Sequence, residues 1–390
     1  MLKALEGSQA LARAVGLCRP QVIAAYPITP QTHIVENLSK LVADGQLDCE
    51  LVSVESEFSA ASVVLGAVAA GSRSYTASSS QGILLMSEVL YNIAGLRIPL
   101  VLTCANRAVS GPLSIWNDQQ DSMAVRDAGW IQLYCADNQE AIDTTIQAYR
   151  IAEQCELPVM VCVDGFTLTH TLEVIDIPDQ SQVDAFLPPF DFSRKLDPTS
   201  PLSIGTLVSP EFFTEARQAH HEAVMNSLPV IVAAADEWGQ ASGRRSGALL
   251  NISGPPDART GILTLGSIAG TLEAASEEFP DMPPTRLIKL RTFRPFPAAA
   301  IREASNGLTD LVVLERAISP GSGGIVGTEV RAALSELPDA PRVHNFSVGL
   351  GGRDVPLDIF PRLHQAVQIG SGKDFAILDL EPDKLSADAC

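Results

Sequence analysis

Residues 49–70, "CELVSVESEFSAASVVLGAVAA", decide the fold. An apolar, β-branched run, "CELVSV", gives way at Glu55–Ser56–Glu57 to a stretch of small and apolar residues without proline. A helix apolar nearly all round must be covered on more than one side, and a strand that is apolar instead of alternating must be covered on both faces. The pair therefore predicts one strand–helix unit of a parallel sheet. The same grammar recurs in "QVIAA" (21–25) before "THIVENLSKLVA" (32–43) and in "SYTAS" (74–78) before "GILLMSEVLYNIAG" (82–95). It recurs again in "PLVLTC" (99–104), followed by a long loop, the helical "NQEAIDTTIQAYRIAEQ" (138–154) and "PVMVCV" (158–163). Such alternation predicts an α/β fold with a doubly wound parallel sheet.

A second α/β series runs through "GILTLG" (261–266), "TRLIKLR" (285–291), "DLVVLER" (310–316) and "HNFSVGLGG" (344–352). It predicts a smaller parallel-sheet domain. Between the two series, residues 177–205 are rich in Pro, Asp and Ser and read as a crossing segment. A helical stretch (210–228) and a polar link (242–258) follow. A chain of 390 residues exceeds one ordinary core, and the predicted domains are 1–255 and 256–390.

The formal charge of −19 speaks against a nucleic-acid footprint, which needs clustered Lys and Arg. The cysteines at 18, 49, 104, 135, 155, 162 and 390 are odd in number and contain no CxxC, which predicts reduced, mostly buried thiols in a cytoplasm and no cluster carried by this chain. No apolar run reaches the roughly 18 residues of a membrane helix, and the N-terminus lacks the shape of a signal peptide. The histidines at 33, 170, 220, 221, 344 and 364 show no metal-ligand spacing, so no metal site is expected here, and His170 reads as structural. GxSxG, HExxH and the Rossmann GxGxxG are all absent, which removes the main support for hydrolase, zincin and simple dehydrogenase chemistry. "ERAISPGSGG" (315–324) lacks the phosphate-loop pattern and reads as tight packing or a subunit contact.

Four stretches carry candidate chemistry. In "AYPITPQ" (25–31), Pro27 and Pro30 hold the Thr29 hydroxyl nearly rigid at a strand end; a tight turn with a capping threonine explains the same pattern. Glu55 and Glu57 flank Ser56 at the mouth of an apolar helix. There they complement the helix dipole, or one of them, if buried, pairs with a protonatable ring nitrogen of a cofactor. "TASSSQG" (76–82) offers hydroxyls and amides at a helix start, for an anion, a cofactor edge or mere capping. The loop 104–130 holds Arg107, Asn117, Asp118, Gln119, Gln120, Asp121, Arg126 and Asp127 between Trp116 and Trp130. It follows a strand end, where open α/β sheets place their sites, and Arg107 is a natural clamp for a carboxylate.

The motifs "AAYPITPQT", "VESEFSAASVVLGAVAAG", "TASSSQG", "NRAVSGPLSIWNDQQDS", "RDAGWIQLY", "VDGFTLTH", "LRTFRPFP" and "ERAISPG" stand in this order. The order resembles the alpha subunit of the 2-oxoacid:ferredoxin oxidoreductases, most of all the pyruvate branch. The resemblance is dense to residue 170 and thin over 177–255. It implies a thiamine-diphosphate pyrimidine-binding domain followed by a transketolase C-terminal-like domain. Mg²⁺, the diphosphate and the iron–sulfur clusters are then expected in partner chains: a beta subunit, with gamma and ferredoxin-like delta subunits.

The implied reaction is coenzyme A-dependent oxidative decarboxylation of a 2-oxoacid, with electrons passing to ferredoxin or to a flavin subunit that reduces NAD. Carried over by position, Glu57 looks like the glutamate at the pyrimidine nitrogen, with Glu55 the lesser candidate. Thr29 and Arg107 look like the receivers of the substrate carboxylate. Pro27, Ser80 and Gln81 are expected beside the cofactor, with Asn117, Asp118, Gln120 and Asp121 as loop contacts. The loop "SIWNDQQDS" departs from a His-rich version common in pyruvate enzymes, which keeps phenylglyoxylate and branched-chain oxoacids open. A non-catalytic interaction subunit that keeps the fold and docks partners through the long loop is the alternative class, and a small-molecule binding protein acting alone is a third.

Overall fold

A computed structural model describes residues 1–369 and 374–385, so Cys390 lies outside the described residues. The strands in chain order are β1 (Leu2–Glu6), β2 (Val22–Ala25), β3 (Glu50–Ser53), β4 (Ser74–Ser78), β5 (Val101–Asn106), β6 (Ile131–Cys135), β7 (Val159–Asp164) and β8 (Leu172–Asp176). They continue with β9 (Leu250–Ser253), β10 (Thr260–Thr264), β11 (Thr285–Leu290), β12 (Thr292–Arg294), β13 (Asp310–Glu315), β14 (Arg342–Ser347) and β15 (Ala376–Ile377).

The first sheet has the order β12-β6-β7-β5-β4-β2-β3, parallel except where β12 meets β6. Its strands alternate between two cores, as a doubly covered sheet demands. Val101, Val159, Val161 and Val163 face the side packed by helices Gly7–Leu17, Thr32–Ala43 and Asn138–Cys155, where Ala10, Ile34 and Ile142 lie. Leu102, Cys104, Met160 and Cys162 face the side covered by helices Glu57–Ala69 and Ser87–Gly95, through Val64, Val68 and Ile93.

The second sheet, β15-β14-β13-β10-β11-β9, is parallel but for its edge strand β9. It is not an independent body. Leu263, Ile288, Leu311 and Val313 share one apolar core with the helix 57–69 side of the first sheet. The strands also interleave. β9, before residue 256, pairs with β11, while β12, beyond it, crosses back to β6. Lys289 Nζ donates to both oxygens of the buried Glu140, at 3.0 and 2.9 Å, and the buried Arg291 donates to Thr144 Oγ1, Gln147 Oε1 and the Ala248 carbonyl. These bonds satisfy charges that would be costly to bury unpaired.

Several elements lie outside the predicted pattern, among them β9 within the expected polar link and the helix Ser227–Ser242 beyond the expected helical stretch. The β1–β8 pair is a separate antiparallel two-stranded sheet that joins residues far apart in sequence. The buried strand "IQLYC" (β6) immediately follows the long loop. Within the crossing segment, residues 180–186 form the helix Gln180–Phe186, with Val183 and Phe186 buried.

Candidate functional site

Because β2, β4, β5 and β7 run parallel, their C-terminal ends open on one edge, and the predicted residues come from the segments that leave it. After β3, Ser56 caps the helix Glu57–Ala69 by accepting from Ser59 N at 3.2 Å. Glu55 is exposed and accepts from the Ser59 hydroxyl, which holds its carboxyl below the usual range. Glu57 is only 6% exposed, and its carboxylate has no hydrogen-bond or ion-pair partner among the described residues. Its room is made by Gly82, where a Cβ would stand 2.6 Å from Glu57 Oε1 and 2.3 Å from Ser78 Oγ.

After β4, the chain turns through Ser79 and Ser80 into the helix Ser80–Leu85. Ser80 has φ +48°, a left-handed conformation that strains a residue with a Cβ. Its N–H donates to Asp121 Oδ2 at 2.8 Å, and its hydroxyl, with a single proton, lies within reach of both the Gln81 Oε1 and the Ala108 carbonyl. Ser78 Oγ, Ser79 Oγ and Gln81 Nε2 are buried with no partner. A buried polar atom without a partner costs about 1–3 kcal/mol, so this group of orphans beside a free buried carboxylate fits a polar heterocycle.

After β2, Gln31 pins the turn. Its Oε1 accepts from Ile28 N at 3.2 Å and its Nε2 donates to the Ala77 carbonyl at 3.0 Å. Pro27 and Thr29 are exposed. Gly165 closes the far side of this turn, since a Cβ there would meet Pro30 Cγ and the Asn106 carbonyl at 2.5 Å. Arg107, 6% exposed, donates from Nη1 to the Thr29 carbonyl at 2.9 Å and from Nε to the Ser114 carbonyl at 3.0 Å. The two residues therefore do come together, through the Thr29 backbone and not through its hydroxyl. Nη2 has no partner among the described residues.

The long loop divides into two kinds of residue. Asp121 is a buried node: Oδ1 accepts from Asn106 Nδ2 and Ser122 N, both at 2.8 Å, and Oδ2 from Ser80 N and Arg107 N. Asp118, Gln119 and Gln120 instead clasp the second domain. Asp118 accepts from Gly351 N, Gln120 Oε1 accepts from Ile318 N, and Gln119 N donates to the Arg316 carbonyl. Gln119 Nε2 also donates to Asp164 Oδ1, while Asp164 Oδ2 accepts from Ser267 N and Arg316 Nη1. Asn117 is buried with both amide atoms unpaired. Gln31, Asn106 and Asp164 were not legible as site-builders, because each works through a partner distant in sequence.

Burial pushes the Asp118 carboxyl up to about 6. Since its folded value lies above its ordinary one, the native state binds the extra proton between the two. This group's contribution to stability is therefore lost as pH rises through that window. Asp118→Asn is expected to show a shallower loss of stability between about pH 4 and about pH 7 than the wild type. Paired urea melts check this, and an unchanged slope removes the carboxyl from the account.

The fold and the free carboxylate define a two-domain α/β protein with its candidate site at the C-terminal edge of the first sheet, and family comparison places it in the thiamine-diphosphate-binding class. Residues 13–236 match the model described as pyruvate flavodoxin/ferredoxin oxidoreductase, thiamine diphosphate-binding, and residues 258–359 match pyruvate:ferredoxin oxidoreductase core domain II. The chain is 45% identical over 359 residues to pyruvate synthase subunit PorA of Methanosarcina barkeri, covering 91% of this chain and 89% of that one. It is 39% identical over 354 residues to the ketoisovalerate oxidoreductase subunit VorA of Pyrococcus abyssi, covering 90% of each. Among solved structures, the 2-oxoglutarate:ferredoxin oxidoreductase from Magnetococcus marinus shares the fold with TM-score 0.71 at 20% identity, covering 94% of this chain and 65% of that one. The chain belongs to the alpha-subunit family of the 2-oxoacid:ferredoxin oxidoreductases.

Proposed function

We propose that the chain is the alpha subunit of a thiamine-diphosphate-dependent oxidoreductase acting on pyruvate, and that Glu57, Arg107 and Thr29 are its working groups. The observation that carries the reading is the buried, unpartnered Glu57 carboxylate beside the orphaned Ser78, Ser79 and Gln81. When bound, thiamine diphosphate supplies a nucleophilic carbon for the 2-oxo group and accepts the electron pair left when CO₂ departs. Glu57 holds a proton at the pyrimidine nitrogen, which makes the cofactor's own amino group basic. Pro27, Ser80 and Gln81 flank the ring. The free Nη2 of Arg107 and the exposed Thr29 hydroxyl receive the substrate carboxylate, and the Thr29 and Ser114 carbonyls fix that guanidinium beforehand.

The diphosphate, Mg²⁺ and iron–sulfur clusters belong to partner chains: a beta subunit, with gamma and ferredoxin-like delta subunits passing electrons to ferredoxin or to a flavin subunit that reduces NAD. Coenzyme A takes the acyl group. The exposed Tyr26, Phe58, Leu113, Ile115 and Trp116 along this edge support a covering partner. The cytoplasm is the proposed compartment, supported by the free thiols of Cys18, Cys104, Cys135 and Cys162, all buried.

The test is 2-oxoacid-dependent viologen reduction by the purified complex. Pyruvate is expected to turn over faster than 2-oxobutyrate, phenylglyoxylate, branched-chain oxoacids or 2-oxoglutarate, and absence of pyruvate turnover overturns the reading. Arg107→Ala is expected to raise KM for pyruvate about 10- to 100-fold with the complex intact, the worth of a charged hydrogen bond. Dissociation of the complex without a change in KM assigns Arg107 to docking instead.

A further inference from the structure

Three residues that share no sequence spacing meet at the foot of the site. Glu6 ends β1 and precedes the helix Gly7–Leu17; His33 lies in the first turn of the helix Thr32–Ala43; His170 lies in the turn between β7 and β8. One ligand atom from each lies within 4.8 Å of the other two. His33 Nδ1 is 2.8 Å from Glu6 Oε1, and the two imidazoles face each other with centroids 4.6 Å apart. All three are partly exposed, so an ion can enter from solvent.

We propose that Glu6, His33 and His170 form a binding site for one divalent transition-metal ion, of the kind that prefers imidazole, with Zn²⁺ as the type case. Two histidines, a carboxylate and a water make a tetrahedral set, whose ligand atoms stand about 3.3 Å apart at bond lengths of ~2.0–2.1 Å. His170 is already oriented: its Nδ1 lies 2.8 Å from Thr169 Oγ1, which is itself fixed by accepting from Phe166 N. Metal-ligating histidines are held in the same way, through the second ring nitrogen.

The ion differs in kind from the Mg²⁺ expected with a diphosphate, which takes oxygen ligands. Its role is to brace the site. His33 stands three residues after Pro30, and His170 stacks on Phe166, which stacks in turn on Trp116 of the long loop at 4.6 Å. A metal clamp at the foot of this ladder ties the Thr29 turn and the loop to the β1–β8 pair.

The site is independent of the proposed reaction, and its test needs no turnover. The full-length chain, stripped with a chelator and dialysed, is titrated calorimetrically with Zn²⁺ alone and with Mg²⁺ alone. Cobalt binding is read in parallel by its visible tetrahedral bands. One more equivalent of Zn²⁺ is expected in the wild type than in His170→Ala, together with imidazole-type cobalt bands that the variant lacks. Glu6→Gln, which keeps the side-chain size, is expected to weaken Zn²⁺ by at least about tenfold and serves where the alanine variant misfolds. Equal Zn²⁺ stoichiometry and affinity in wild type and Glu6→Gln, or binding of Mg²⁺ as tight as that of Zn²⁺, overturns the proposal.

Discussion

Glu57→Gln is expected to lower kcat by about 10²- to 10⁴-fold, the range for loss of a positioned acid–base group. The substitution keeps the shape of the side chain and the cap formed by Ser56, so the helix that starts at Glu57 has no reason to unfold. It removes only the charge. A buried carboxylate without an ion-pair partner lowers stability, so the amide should leave the melting temperature unchanged or raise it. That combination, a large loss of turnover with no loss of stability, is the signature of a group kept for chemistry at a cost to the fold. A structural Glu57 predicts the opposite: turnover near wild type, or a parallel fall in both. Glu55→Gln is the internal control. Glu55 is exposed and engaged with Ser59, and its replacement should leave turnover within about twofold.

The parts of this molecule legible in the sequence are those whose reasons are local. Apolar runs such as "LVLTC" and "VMVCV" must be covered on both faces wherever they occur, and they became β5 and β7. The β1–β8 pair could not be read this way. "LKALE" and "LEVID" are half-exposed, short and charged, and each is a strand only because the other lies beside it. The long loop illustrates the same limit at the site. Its carboxylates and amides read as a polar surface for binding something. Much of that something is the second domain, whose Gly351, Ile318 and Arg316 take up Asp118, Gln120 and Gln119. Composition shows that polar groups need partners, but only the fold shows which are already satisfied. Glu55 and Glu57 flank Ser56 at the mouth of the same apolar helix, so the residues alone do not separate them and only the family resemblance singles out Glu57. His33 and His170 were not legible as a pair, since a separation of 137 positions in the chain hides a centroid separation of 4.6 Å.

Asp121 is expected to be among the most sensitive stability positions in the first domain. Its two oxygens accept four hydrogen bonds, and each oxygen serves two different elements. Burial pushes its carboxyl upward, and the donors offset part of that by favouring the charged form. Asp121→Ala leaves the N–H groups of Ser80, Arg107 and Ser122 buried without this acceptor and costs the Asn106 amide one of its partners, its bond to Ser122 Oγ remaining. At the usual cost of breaking a buried charged network, the loss is about 3–5 kcal/mol.

Asparagine does not rescue it, because an amide replaces one of the two acceptors. If its nitrogen takes the Oδ2 position it faces Ser80 N and Arg107 N, donor against donor; the opposite orientation sets it against Asn106 and Ser122. Asp121→Asn is therefore expected to fall closer to alanine than to wild type in urea melts, although it is nearly isosteric. Either variant also releases the strained Ser80 and the Arg107 backbone, so surviving protein should show a raised KM for the oxoacid and weaker cofactor binding together. Stability of Asp121→Asn within about 1 kcal/mol of wild type contradicts this account. It would mean that the four bonds are replaceable, and that the ends of β4 and β5 are held by packing against the helices beneath them.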